Sequence, residues 1–261
     1  MTDISTRRFV VVGAGGVGGW LLTGLSKMLE FKAPGSTLII IDGDQYEPKN
    51  VERQTFMMAG NKAEVKAAEL QPSLKDTMVF PYPCWVVPND SELVGSGDDE
   101  DGSSYLAVER CVQENDVVFA VVDNFATRKL IFEEARKRDN VDVFTGGNDE
   151  NLFGSVQHYA RKDGIDILEH PSERQSEYDN PPDRNPGELS CQERAELEGG
   201  TQLIATNMAV AAYLLGRAQK VIFSGEADKE ALIYFDLGAG LASAIDRTEE
   251  VPIPVPVIVA S

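Results

Sequence analysis

Histidine and cysteine are scarce: the chain has two of the first and three of the second in 261 residues. Cys84, Cys111 and Cys191 are widely spaced and odd in number, so they form neither a disulfide framework nor a Cys-x-x-Cys metal pair. A reducing, cytoplasmic setting is the simplest reading. Long apolar runs are missing too. Leu203–Leu215 is interrupted by Thr206 and Asn207 and is too short to span a bilayer. Phe9–Val12, behind a polar Met1–Arg8, is too short for a secretory signal. Positive charge is in deficit, 24 Lys and Arg against 43 Asp and Glu, for a net charge of −19. That balance, with acidic clusters at Asp98–Asp101 and Glu249–Glu250, argues against nucleic acid or an anionic membrane as partner and favours a protein with a basic face. It also serves solubility. With 42% hydrophobic residues and no internal repeat, the chain has enough apolar content for one α/β domain with its own core.

The order of elements is legible. Phe9–Val12 is a short buried strand running into Gly13-Ala14-Gly15-Gly16-Val17-Gly18-Gly19, and Trp20–Leu29 has apolar residues at helical spacing. Ala33-Pro34-Gly35 ends that helix, and Thr37–Ile41 is a second, β-branched strand closed by Asp42-Gly43-Asp44. Asn61–Leu70 reads as helix, Thr77–Tyr82 as a third strand weakened by Pro81 and Pro83, Gly95–Ser104 as a loop and Tyr105–Gln113 as helix. Val117–Val122 is a fourth strand, Phe125–Arg138 a helix, Val141–Thr145 a fifth strand and Gly154–Ala160 an alternating one. Leu168–Gly200 lacks periodicity and reads as a long crossing loop, of a length usually either functional or disordered. A helix over Thr201–Gln219 and a strand at Ala231–Phe235 complete the pattern. Strands alternating with helices predict a Rossmann-like, doubly wound, mostly parallel α/β sheet with an antiparallel extension and a long crossover loop.

Gly13, Gly15 and Gly18 fit Gly-x-Gly-x-x-Gly between a strand and a helix. Glycine allows the tight turn, brings backbone close to a phosphate and opens the helix N-terminus to an anion. NAD, FAD, S-adenosylmethionine and ATP all fit. Asp42, at the tip of the second strand, is placed to receive ribose hydroxyls. The following run, Asp44 through Asn50, Arg53 and Gln54 to Lys62 at a helix start, suits a triphosphate better than a nicotinamide. An arginine fork and a lysine point charge neutralise pyrophosphate as it leaves.

At this point the sequence resembles the ThiF/MoeB/HesA and ubiquitin-activating (E1-like) superfamily. The matching pieces are GAGGVGG, Asp-Gly-Asp followed by Asn-x-x-Arg-Gln, the helix opening Asn-Lys-Ala-Glu-Val, and Val-Asp-Asn-x-x-x-Arg ending at Arg128. Gly146-Gly147 after the fifth strand and Ser190-Cys191 before an apolar helix match as well, so the resemblance covers most of residues 8 to 220. It implies an adenylyltransferase that uses ATP and Mg²⁺ to activate the C-terminal carboxylate of a ubiquitin-like or sulfur-carrier protein ending in Gly-Gly. Gly13, Gly15 and Gly18 would underlie the nucleotide, and Asp42 would hold the ribose. Asp44, Asn50, Arg53, Gln54, Lys62 and Asn124 would line the nucleotide site, and Asp123 would bind the metal. A single E1-like domain is expected over 1–261, with a nucleotide-binding half at about 8–150, a carrier-binding half at about 151–240 and an extended tail at 241–261.

Cys191 is the cysteine that the resemblance marks for acyl transfer or sulfur carriage, and a thiolate near a helix start is a competent nucleophile. Glu188, Glu193, Glu196 and Glu198 around it work against a thiolate, so a structural thiol stays open. Cys84 and Cys111 read as small apolar packing groups. The chain departs from relatives in having no Cys-x-x-Cys pairs, so no zinc is expected. Relatives also begin with an arm whose arginine reaches the partner subunit, whereas here only Arg7 and Arg8 precede the first strand. A homodimer, a heterodimer and an E2-like partner all remain open. Val251-Pro252-Ile253-Pro254-Val255-Pro256-Val257 reads as an extended segment suited to a sheet edge or a partner, or equally as a disordered tail. Two other readings survive: an NAD(P)-dependent oxidoreductase, which lacks an evident acid because His158 and His170 have no clear partners, and a degenerate E1-like binding subunit. Arg128 is open to a pairing with Glu133.

Overall fold

The structure, a computed structural model, describes residues 4–46, 51, 54–94, 104–148, 152–189, 193 and 203–247. Asn50, Arg53, Cys191, both acidic clusters and the proline-alternating tail lie outside the described residues.

Thirteen strands and five helices follow one another among the described residues. The strands are β1 (Arg8–Val12), β2 (Thr37–Ile41), β3 (Gln45–Tyr46), β4 (Gly60–Asn61), β5 (Met78–Tyr82), β6 (Cys84–Val87), β7 (Ser104–Ala107), β8 (Val117–Ala120), β9 (Val141–Asn148), β10 (Phe153–Lys162), β11 (Ile165–Asp166), β12 (Glu230–Asp236) and β13 (Leu241–Asp246). The helices are α1 (Gly16–Lys32), α2 (Lys62–Leu70), α3 (Val108–Cys111), α4 (Phe125–Ala135) and α5 (Ile204–Ala218). A nine-stranded sheet runs β13-β12-β10-β9-β8-β1-β2-β5, with β11 paired to β10. β5, β2, β1, β8 and β9 are mutually parallel, and β10, β12 and β13 extend the sheet antiparallel.

Alternation in the apolar strands sorts the core into two layers. Phe9 and Val11 of β1 face α1, α2 and α5 with Leu38, Ile40 and Phe119. Val10 and Val12 face α3 and α4 with Ile39, Ile41, Val118 and Phe132. Leu21, Leu22, Leu25 and Leu29 of α1 are fully buried, each stabilising the fold by about 1.5–3 kcal/mol. The chain goes from β1 outward to β2 and β5, then returns to β8 on the other side of β1. A crevice therefore opens at the carboxyl ends of β1 and β8, the usual ligand position in open α/β sheets.

Some expectations change. Tyr105 lies in a strand rather than a helix, because it pairs in register with Trp85 of the unforeseen β6, leaving only one helical turn in α3. Pro81 is tolerated because β5 is the edge of the sheet. The expected tail begins with a strand, β13, at 241–246. His158 is buried and does have partners. Its Nδ1 is 2.6 Å from Asp228 and its Nε2 3.1 Å from Asp142, and its ring stacks on Phe144 at 4.0 Å. His170 also has partners, accepting from the Ser172 backbone and packing edge-on against Phe132. Arg7 reaches Asp142 at 2.7 Å and Arg8 reaches Asp116 at 3.1 Å, so both serve the amino end of the parallel strands, opposite the crevice.

Candidate nucleotide site

The glycine turn owes its shape to what a side chain would strike. Gly13 has φ +100°, and a Cβ there would lie 2.8 Å from the Val121 carbonyl oxygen. A Cβ on Gly18 would lie 2.0 Å from the Gly13 carbonyl oxygen. β1, the β8 loop and α1 are thus packed backbone to backbone. Gly15 is the N-cap of α1 and supplies no side-chain acceptor, so the first N–H groups of this 17-residue helix face the crevice without one.

Asp42 braces the turn from below. Its Oδ2 accepts from Ala14 N at 2.6 Å and its Oδ1 from Asp44 N at 2.8 Å. Each oxygen keeps acceptor capacity for a hydroxyl. Burial pushes this carboxyl above the usual range, against the pull of Lys62. Tyr46, buried and stacked on Phe56 at 4.5 Å, donates its hydroxyl to the Ala14 carbonyl at 2.5 Å, tying the segment after β2 to the same turn. Asn61 completes the frame. Its Nδ2 donates to the carbonyls of Asp42 and Asp44, and its Oδ1 accepts from Ala63 N and Glu64 N, capping α2.

That cap delivers Lys62 to the crevice floor. Its ammonium is buried and pairs with the Asp44 carboxylate. Burial alone would lower its pKa, but Asp42, Asp44 and Asp123 outweigh that and raise it, so Lys62 stays charged. The influence of Asp123, which belongs to the loop after β8, brings a second strand end to the same spot. Gln54 reaches over the turn from the other side. It is buried, its Nε2 would sit 3.7 Å from a Cβ on Gly15, and its Oε1 has no hydrogen-bond partner.

Asn124 is the N-cap of α4, its side chain accepting from Thr127 N at 2.8 Å. Arg128 does not pair with Glu133. It is buried and donates to the carbonyls of Val122, at 3.0 and 2.7 Å, and Gly146, at 3.0 Å, tying the ends of β8 and β9 together. Cys84 and Cys111 are buried, and burial pushes the Cys84 thiol up to about 12. Gly13, Gly15, Gly18, Asp42, Asp44, Gln54, Lys62 and Asp123 are thus brought together. Tyr46, Asn61 and Asp183, whose carboxylate caps α4, were not singled out from the sequence. The Asn directly before the Lys-Ala-Glu helix opening was the available signal for Asn61.

A family model, that of the ThiF family, matches residues 1–221. No curated protein matches the sequence. Among solved structures, PaaA is similar at 16% identity and TM-score 0.62 over 94% of this chain and 65% of that one. E. coli MccB solved with ATP is similar at 16% identity and TM-score 0.63 over 94% and 64%. MccB in complex with N-formylated MccA is similar at 14% identity and TM-score 0.59 over 96% and 69%. The chain thus spans about 65% of the length of the PaaA chain it matches. These likenesses agree on a Rossmann-like fold, and the match over most of its length places the chain in the ThiF family, to which it belongs.

Proposed function

We propose that this chain is an E1-like enzyme that adenylates the C-terminal carboxylate of a small protein or peptide with ATP. The carrying observation is the pairing of buried Lys62 with Asp44, next to Asp42 and within the influence of Asp123, under a glycine turn where a side chain at Gly13 or Gly18 would strike backbone. A cation held charged among carboxylates, beside open helix N–H groups, suits a triphosphate and its departing pyrophosphate. The unpartnered Gln54 Oε1 supplies a polar contact above the turn. MccB has been solved with ATP, and with AMPCPP and MccA, which supports ATP and a small peptide or carrier as the reactants.

In the reaction, a carboxylate oxygen of the substrate attacks the α-phosphorus of ATP. The bond to the bridging oxygen breaks and pyrophosphate leaves, giving an acyl-adenylate. Asp42 holds the ribose, Gly13–Gly18 admits the phosphates, Lys62 with Arg53 neutralises the charge that moves onto pyrophosphate, and Asn50 donates a hydrogen bond to the phosphates. Asp123 is exposed at the crevice and fits Mg²⁺, which takes one or two carboxylates and completes its shell with phosphate and water. When bound, the ion supplies charge neutralisation at the phosphates. Among the described residues no group of three or more His, Cys, Asp or Glu is placed to hold a metal alone. A carrier ending in Gly-Gly, passage of the acyl group to Cys191, a dimeric active unit and an E2-like acceptor extend the same reading. The oxidoreductase alternative loses its histidine acid, because His158 and His170 are both engaged away from the turn.

Substrate-dependent ATP–pyrophosphate exchange tests this. Asp123→Ala, Arg53→Ala and Lys62→Ala should each cut exchange by about 10²-fold or more, the scale for removing one charge-stabilising group, with unchanged melting in Asp123→Ala and Arg53→Ala. A wild-type chain that binds no ATP and exchanges with no carrier or peptide would overturn the reading. ATP binding without exchange, whatever the carrier, would indicate a degenerate subunit.

A further inference from the structure

The crossing segment between β11 and α5 is fixed rather than loose over its described part. Tyr178 is buried edge-on to Phe125 and Phe132 at 5.3 Å each. Lys129 Nζ donates to the Asp179 carbonyl at 2.7 Å, and Asn185 Nδ2 donates to the Val86 carbonyl at 3.0 Å. Between these anchors lies Asp183. Its two carboxylate oxygens accept from Phe125 N and Ala126 N, both at 2.8 Å.

Those two amides open α4, directly after Asp123 and Asn124. The loop from β8 has other anchors, each acting at one point: Val121 N to the Val12 carbonyl at 2.9 Å, Arg128 to the Val122 carbonyl, and Asn124 to Thr127 N. The peptide plane between Asn124 and Phe125 is the second one after Asp123. That plane is held by Asp183, from a point 58 residues along the chain from Phe125. A helix N-terminus holds a carboxylate well, both by its free N–H groups and by its dipole.

We infer that Asp183 is a positioning residue for the adenylation reaction. It locks the Val121–Asn124 loop to the crossing segment and so aims the Asp123 carboxylate at the nucleotide. The inference rests on the function proposed above. Small errors of placement matter here, since a displacement of about 1 Å can cost on the order of 10²-fold in rate.

The test uses the full chain and its Asp183→Ala and Asp183→Glu variants. Turnover in ATP–pyrophosphate exchange should fall about 10- to 100-fold in Asp183→Ala, with KM for ATP little changed. Added formate, a carboxylate small enough for the gap, should restore part of the turnover, and Asp183→Glu should keep more than Asp183→Ala. Amide hydrogen exchange should quicken over all of Val121–Ala126 in Asp183→Ala and slow again with formate. Turnover close to wild type, a loss that formate does not relieve, or faster amide exchange confined to Phe125 and Ala126 would each overturn the inference. A wild-type chain without exchange activity would fail the adenylation reading instead, and the amide measurement would still decide whether Asp183 fixes the Asp123 loop.

Discussion

Gly18→Ala offers a sharp perturbation of the site. The new Cβ would stand 2.0 Å from the Gly13 carbonyl oxygen and 2.8 Å from the Gly13 carbonyl carbon. Real Cβ atoms essentially never approach closer than 3.0 Å, so about 1 Å of separation must come from backbone, because no rotamer change moves a carbonyl. Gly13 cannot simply yield, since it is itself wedged against the Val121 carbonyl at φ +100°. Overpacking of this kind costs about 1–3 kcal/mol. For a domain of this size that lowers the melting temperature by roughly 2–12 °C. The same shift moves the first N–H groups of α1 away from a bound phosphate, so ATP affinity should fall about 5- to 150-fold if the strain is relieved there.

Two controls sit nearby. A Cβ on Gly15 meets only Gln54 Nε2 at 3.7 Å, and one on Gly24 meets the Leu215 side chain at 2.3 Å, which can rotate away. Thermal melting of the three variants and calorimetric titration with ATP check the argument. Gly18→Ala melting and binding like wild type, or Gly15→Ala and Gly24→Ala melting as low as Gly18→Ala, would refute it.

Other outcomes follow from the same geometry. His158→Leu leaves Asp142 and Asp228 without the ring that bridges them, with Arg7 and Arg217 still in place. Urea unfolding should show a loss of about 3 kcal/mol, and a loss below about 1 kcal/mol would mean the arginines suffice. Cys84 and Cys111 should not react with a thiol reagent near neutral pH until the chain is denatured, because both are buried and the Cys84 thiol sits at about 12. Labelling of either in the native state, read by mass spectrometry, would contradict that. Burial pushes the Asp116 carboxyl up to about 6, with Arg8 beside it pulling the other way. A folded-state value above the unfolded one gives a contribution present below about pH 4 and lost as pH rises through about 6, worth roughly 3 kcal/mol. Across that window the stability difference between wild type and Asp116→Asn should therefore shift against wild type. A difference independent of pH would show that Arg8 keeps the carboxylate ionised at no cost.

The sequence alone determined the central architecture, because that information is local. The apolar runs Phe9–Val12, Thr37–Ile41 and Val117–Ala120 alternate between two cores, and the glycines at 13 and 18 answer steric demands that any side chain would violate. Spacing also carried the family, and with it Asp42, Lys62 and Asp123. Tertiary structure decided whatever depends on which neighbour arrives. Tyr105 became strand because Trp85 lies beside it. Asn124 and Arg128 were taken up by backbone groups at the ends of α4, β8 and β9. His158 became a buried bridge because Asp228, 70 residues away, folds against it. Asp183 acquired its place at α4 by the same kind of long-range approach, across 58 residues from Phe125. A side chain's partner is set by packing across the sheet, and no spacing along the chain encodes it.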